Sequence, residues 1–292
     1  MRLFPLLAAA LMLAVVPAIG PASAKPLTVV AAENFYGDLA QQIGGPAVHV
    51  TSILTNPNQD PHTFEASPST ARAIADAGLV VYSGADYDPW VANLLAASKA
   101  PDRKVIVVAD LVHRKSGDNP HLWYDPQTMP VLAKALAAEF AGRDPAHRAD
   151  YESRLQAFLA SLEPMNRKIA ELRQKYAGQP VSATEPVFGY MSDALGLDMR
   201  NQPFQIAVMN DTEPSASQIA AFEKDLKTRA VKVLFYNSQV TDDLTARLQK
   251  IAQESGVPIV GVSETEPPGL SYQAWMGGQL EATGKALAGP GS

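Results

Sequence analysis

Short apolar runs alternate along this chain with stretches whose apolar residues recur every three or four positions. "LTVVAAE" (Leu27–Glu33), "VHVTSIL" (Val48–Leu54), "LVVYSG" (Leu79–Gly84) and "KVIVVAD" (Lys104–Asp110) are rich in valine and isoleucine. Runs of this length and composition predict buried strands. The intervening segments "FYGDLAQQIGG" and "SPSTARAIADAG" have amphipathic spacing, and the second opens on Ser-Pro and stops at glycine, as helices do. Strands alternating with helices predict βαβ units on a parallel sheet. The pattern returns after residue 180 with "PVSAT", "VKVLFYN" (Val231–Asn237) and "PIVGVS" (Pro258–Ser263).

Between the halves, Tyr151, Leu155, Phe158, Leu159, Leu162, Ile169, Leu172 and Tyr176 fall at three- and four-residue steps. That stripe predicts one linking helix over residues 144–177 packed against both halves, kinked or split at Pro164, which has no N–H to give to the preceding turn. The expected fold class is α/β. Two lobes, residues 25–143 and 178–292, each hold a mostly parallel sheet flanked by helices, with a cleft between them. Ligands of open parallel sheets bind beyond the carboxyl ends of the strands, so residues just after each strand matter most.

The N-terminus places the chain outside the cytoplasm. Met1-Arg2, the apolar run "LLAAALMLAVVPAIG" and the small residues Ala22 and Ala24 predict a signal peptide over residues 1–24. A soluble periplasmic protein is expected. The 292 residues contain no cysteine, which excludes disulfides, thiolate metal sites and a lipidated N-terminal cysteine. A formal net charge of −6 without basic clusters argues against nucleic acid and anionic membranes.

Four strand ends carry a metal-ligand side chain. His62 lies in "TNPNQDPHTFEASP", His121 in "GDNPHLWYDP", Glu185 in "EPVFGYM", and Glu264 and Glu266 in "SETEPPG". Imidazole and carboxylate from rigid positions suit a divalent transition metal ion such as Zn²⁺ or Mn²⁺. Flanking prolines stiffen the loops, and Phe64, Trp123, Phe188 and Tyr190 could wall an ion from water. Taken singly each residue has a plainer use; Glu185, for example, could cap the helix beginning at Pro186. His49 inside a strand, His113 beside Arg114 and His147 at a helix start are expected to be structural.

These motifs, with "DTEPSASQIAAF" (Asp211–Phe222) and "LFYNSQV" (Leu234–Val240), resemble the zinc- and manganese-binding solute receptors of bacterial ABC importers, the TroA-like family, over essentially the whole mature chain. The resemblance implies one metal ion held between the lobes by His62, His121, Glu185 and Glu264, with Glu266 as the neighbouring alternative. It also implies a membrane permease and a cytoplasmic ATPase as partners, and a monomeric receptor. In that family the third ligand is histidine in many zinc members and glutamate in manganese members. Glu185, and the lack of a long His-rich loop before His121, lean towards manganese. Protonation of His62 or His121 below about pH 6 is expected to weaken binding, because imidazolium cannot ligate.

Three other readings compete. A periplasmic hydrolase could use the same ligands to activate water, with Glu266 as base, but no His-Glu-x-x-His pattern, Gly-x-Ser-x-Gly elbow or phosphate loop is present. Closed four-ligand coordination would speak against it. An adhesin with an incidental ion would leave metal uptake intact when deleted. A receptor for a metal chelate or other organic solute would need a wide cleft with cationic side chains, which the motif loops lack.

Overall fold

The computed structural model describes residues 26–240 and 242–289, so the expected leader over residues 1–24 lies outside the described residues. Eight strands are described: β1 (Leu27–Glu33), β2 (Val48–Leu54), β3 (Leu79–Tyr82), β4 (Lys104–Val107), β5 (Pro180–Ala183), β6 (Asp198–Arg200), β7 (Leu234–Asn237) and β8 (Ile259–Val262). They form two four-stranded sheets, ordered β2-β1-β3-β4 and β6-β5-β7-β8, with every pairing parallel. Helices cover the faces, so the central strands are buried on both sides; Val29, Val30, Ala31 and Ala32 are all shielded from solvent. His49 is exposed on β2, an edge strand, in keeping with a structural role.

Two details depart from the sequence pattern. The run "KVIVVAD" leaves the sheet at Val108 and closes into a helical turn, Val108–Leu111. The edge strand β6 was not anticipated, because three polar-flanked residues are too few to show alternation.

The linking segment is two helices, Arg148–Ser161 and Glu163–Tyr176, joined at Leu162. Pro164 cannot donate to the carbonyl of Ala160, and the break falls there. Leu162 keeps right-handed backbone angles (φ −81°, ψ −13°) at the joint. The first helix packs on the helices Asn34–Gly44 and Thr128–Arg143 of the first lobe. The second packs on Gly189–Leu195 and on the last helix, Tyr272–Ala288, of the second lobe. Every residue of the predicted stripe is buried or half-buried in this contact.

One apolar core runs through both lobes and the linking helices. Its spine is aromatic. Phe35 lies 4.5 Å from Trp123, Trp123 6.1 Å from Tyr124, Tyr124 5.6 Å from Phe188, and Phe188 stacks on Phe235 at 4.4 Å. Such ring pairs add to the burial each ring already contributes. Trp275 of the last helix touches Phe35 and Tyr124 at 5.8 Å each, tying the C-terminus into the same stack. Hydrogen bonds from Tyr124 Oη to the Ser263 carbonyl (2.8 Å) and from Tyr272 Oη to the Trp123 carbonyl (2.7 Å) cross the same boundary. Truncating Phe188 to alanine should cost about 3–5 kcal/mol, read as a shift in the denaturation midpoint. Because the ring bridges the lobes, unfolding should stay a single transition; two separated transitions would show the lobes to be independent.

Candidate metal centre

The site lies beyond the carboxyl ends of both sheets. Asp60 begins the turn that carries His62: its Oδ1 accepts from the His62 backbone N–H at 2.8 Å, and Pro61 fixes the next φ. Asn119 does two jobs for the second histidine. Its Oδ1 accepts from His121 Nδ1 at 2.7 Å, and its Nδ2 donates to the Pro186 carbonyl of the other lobe at 2.8 Å. With the ring proton held on Nδ1, the lone pair of Nε2 faces the cleft, the usual arrangement for a ligating histidine.

Glu264 stands at the centre, fully buried after β8. Its Oε2 is 3.2 Å from His121 Nε2 and 3.4 Å from His62 Nε2, and it accepts from Tyr87 Oη at 3.0 Å. One ligand atom from each of His62, His121 and Glu264 lies within 4.8 Å of the others, and among the described residues no other such group of three or more is found. His62 Nε2 is buried yet makes no well-formed hydrogen bond, which leaves it open to an ion.

Glu185 approaches from the end of β5. It caps no helix with its side chain; instead its Oε2 accepts from Asn237 Nδ2 at 2.5 Å, and the same nitrogen donates to Glu264 Oε1 at 2.6 Å. Glu185 thus sits one amide away from the three-residue cluster rather than within it. Glu266 lies outside the cluster. Its backbone N–H and carbonyl are held by the Asn34 side chain at 3.0 and 2.7 Å, its Oε2 is buried without a partner, and burial beside Asp38 pushes its carboxyl up to about 8.

The expected wall residues divide. Trp123 is buried with its ring 5.4 Å from His121, and Phe188 stands one layer behind it through Tyr124. Tyr190 lines the cleft mouth and donates to the Asn119 carbonyl at 2.7 Å. Phe64 does not shield the histidines. The chain leaves the 3₁₀ turn extended, and the Phe64 ring packs on Trp90 at 4.8 Å. Tyr87 takes that place, 5.1 Å from the His62 ring and 4.9 Å from Trp123. Gly84, Ala85 and Asp86 all have positive φ (74°, 50° and 66°) on the way to it. The Asp88 carboxylate secures this costly turn by accepting from the N–H groups of Ser83 and Gly84 at 2.6 and 2.8 Å.

Tyr87, Asn119, Asn237 and Gln239 carry no charge and have no role assigned from the sequence, although the last three lie inside the motifs "GDNPHLWYDP" and "LFYNSQV". The loop after β3 and the last residue of β7 are strand ends too, and the same reasoning extended to neutral side chains there would have found Tyr87 and Asn237. Gln239 Oε1 accepts from the N–H groups of Glu264 and Thr265 at 2.6 and 2.9 Å, and its Nε2 donates to the Gln59 carbonyl at 2.9 Å, so it ties the Glu264 loop to the His62 loop. His113 is exposed with φ 57°, and His147 pairs with Asp144 at 2.7 Å; neither enters the site.

A cleft of about 320 Å³ opens from His62 to the surface between Ala85, Asp118 and Tyr190 on one side and Met199, Ile206 and Met209 on another. It is roomy for an ion; no Lys or Arg lines it, and Arg114 lies over the ring of Tyr190 at its mouth. Burial alone would lower the His62 pKa, but the Glu264 carboxylate 3.4 Å from Nε2 outweighs that and raises it to about 9. Burial also works against ionised Glu264, and the two histidines overcome it, holding the carboxyl below its usual range. His121, fully buried, is lowered; Glu185 is pushed up to about 7 by burial and by the charge on Glu264.

Proton competition therefore extends well above pH 6, the limit expected from an ordinary histidine, because Glu264 stabilises the His62 imidazolium. Since the metal-free His62 pKa is raised, its proton is bound below about 9 and must leave when an ion ligates Nε2. Near pH 7.5, zinc binding should release about one proton from His62 and a fraction more from Glu185, and affinity should keep rising as pH climbs towards about 9. Calorimetry in two buffers of different ionisation enthalpy reads this directly, and no proton release would mean that the His62–Glu264 pair is not formed.

The family described as ZnuA, zinc-uptake complex component A, periplasmic, matches residues 29–286. The metal ABC transporter substrate-binding lipoprotein SloC of Streptococcus mutans is 25% identical over 285 residues, covering 90% of this chain and 91% of that protein. The manganese ABC transporter substrate-binding lipoprotein PsaA of Streptococcus mitis is 25% identical over 291 residues, covering 91% of each. Among solved structures, the periplasmic zinc-binding protein TroA of Treponema pallidum superposes with a TM-score of 0.76 at 21% identity, covering 90% of this chain and 99% of that one. That likeness is one of fold.

Proposed function

We propose that this chain, which belongs to the ZnuA family of periplasmic zinc-uptake components, captures one divalent transition-metal ion between its lobes and delivers it to the permease of an ABC importer driven by a cytoplasmic ATPase. The observation that carries this reading is the convergence of His62 Nε2, His121 Nε2 and Glu264 Oε2 from opposite lobes onto one buried point. Glu185 completes the proposed ligand set by swinging its free Oε1 towards that point. Two nitrogens and two oxygens suit zinc or manganese, and the hard oxygen of Glu185 tilts the balance towards manganese. An ion also neutralises two carboxylates that repel one another, so binding stabilises the fold by mass action.

The family is one of uptake receptors, not enzymes. That use is supported by Tyr87, Asn119 and Asn237, which hold the proposed ligands, and by Glu266, whose carboxyl is buried near Asp38 outside the cluster. Residues 25–143 and 178–292 act as the two jaws, with residues 144–177 as a stiff spine. SloC and PsaA are named as lipoproteins, whereas this sequence contains no cysteine. The proposal departs from them there: a monomeric receptor free in the periplasm, its leader over residues 1–24 removed. Among the described residues no helix is long and apolar enough to cross a membrane.

Elemental analysis of protein purified from its own periplasm tests the reading, beside Glu185→His and Glu264→Gln variants. The native chain should carry about one equivalent of manganese or zinc, and E264Q should lose it, since the central ligand charge is gone. Manganese in the native chain shifting to zinc in E185H would make Glu185 the selecting residue. Zinc in both would remove the manganese tilt, and no transition metal in the native chain would overturn the receptor reading.

A further inference from the structure

We infer that Asn237, which supplies no ligand atom, sets the metal preference of the site by holding each carboxylate to a single free oxygen. The inference rests on the ligand set proposed above and adds to it. It begins with the sheet order. β7 lies between β5 and β8, so the last residue of β7, Asn237, stands between the residues just beyond its two neighbours. Those residues are Glu185 and Glu264.

The carboxamide of Asn237 has one possible orientation. Its Oδ1 accepts from the Gln239 backbone N–H at 3.0 Å, which leaves the NH₂ group facing the two carboxylates. Reversing the amide would put an oxygen against two acids and strip Gln239 of its acceptor. Each of the two Nδ2 protons is then committed, one to Glu185 Oε2 at 2.5 Å and one to Glu264 Oε1 at 2.6 Å. Asn237 is 1% exposed, so water does not replace either bond. A buried bond of this kind to a charged acceptor is costly to break.

What remains for an ion is one oxygen from each acid. Glu264 offers Oε2, already turned to the histidines, and Glu185 offers Oε1, which makes no hydrogen bond among the described residues. With two imidazole nitrogens that makes four donors, the number a tetrahedral zinc ion takes. Manganese prefers about six, largely oxygen, and could reach that number here only if one or both carboxylates chelated through both oxygens. Chelation would turn the oxygens held by Asn237 towards the ion, which would compete with those two short bonds for them. Asn237 is therefore a brake on manganese within a site whose second carboxylate otherwise favours it, and it keeps zinc competitive. Tyr87 does not share this role, because its hydroxyl binds the very oxygen that ligates.

The test is the ratio of Mn²⁺ to Zn²⁺ affinity, from competition titrations with a chromogenic chelator, for the native chain, Asn237→Ala and Asn237→Leu. Asn237→Leu fills nearly the same volume without a donor or a new ligand if the alanine variant folds poorly. Freed carboxylates should move the ratio towards manganese by about 10- to 100-fold, the range seen when groups behind metal ligands are removed. X-ray absorption on the zinc-loaded proteins should find about four nitrogen or oxygen neighbours in the native chain and more in the variants. A parallel loss of affinity for both ions would show that Asn237 merely supports the fold, and an unchanged ratio would equally overturn the inference. Failure of the native chain to bind either ion would instead bring down the receptor reading itself.

Discussion

The rest of the site depends on keeping the charge of Glu264 in a place that water does not reach. Desolvating a carboxylate costs on the order of several kcal/mol unless donors replace its hydration. Here the charge is met by Tyr87 and the protonated His62 from the first lobe and by Asn237 from the second. No single lobe could satisfy Glu264, so the lobes must meet at a fixed distance for the acid to be tolerated at all. The metal-binding geometry arises from that requirement, because the atoms that stabilise the charge without an ion are those that would surround one. Without an ion, a proton on His62 plays the ion's part in miniature.

That fixed distance is supplied by apolar packing. The aromatic run from Phe35 through Trp123, Tyr124 and Phe188 to Phe235 crosses the lobe boundary directly behind the histidines. The linking helices and the last helix brace it from the side. Close-packed rings have few alternative arrangements, so the lobes are poorly suited to wide hinge motion. Adjustment is left to the loops. Glu185, the proposed ligand outside the three-residue cluster, precedes Pro186 on the wall of the cleft.

The chemistry of release fits the same picture. Acid returns protons first to His62, whose pairing with Glu264 draws them in at a pH where an ordinary histidine would be neutral. His121, lowered by burial and fixed by Asn119, resists longer. The two histidines therefore differ despite facing the same oxygen: His121 is held in place by Asn119, and His62 is the one that takes up the proton.

The sequence by itself determined the fold class and the short list of charged residues from which the site is built. Its strands show as valine-rich runs because parallel sheets bury both faces, and Pro164 marks the joint in the linking helix because a missing N–H acts locally. His62 and His121 stand out since proline-flanked histidines at strand ends are rare in a chain with five histidines. The sequence left Glu264 and Glu266 side by side as candidates. Their separation belongs to the tertiary structure, which turns one towards the histidines and buries the other's carboxyl near Asp38, its backbone held by Asn34. The same holds for Phe64, whose expected place beside His62 is taken by Tyr87, because backbone direction after a turn is not written in residue type. Tyr87, Asn119 and Asn237 are neutral residues with many ordinary uses, and only strand order and lobe contact give them a carboxylate or an imidazole to hold. Local sequence reports what a short segment prefers, whereas the partners of a buried charge come from distant strands, and those only folding brings together.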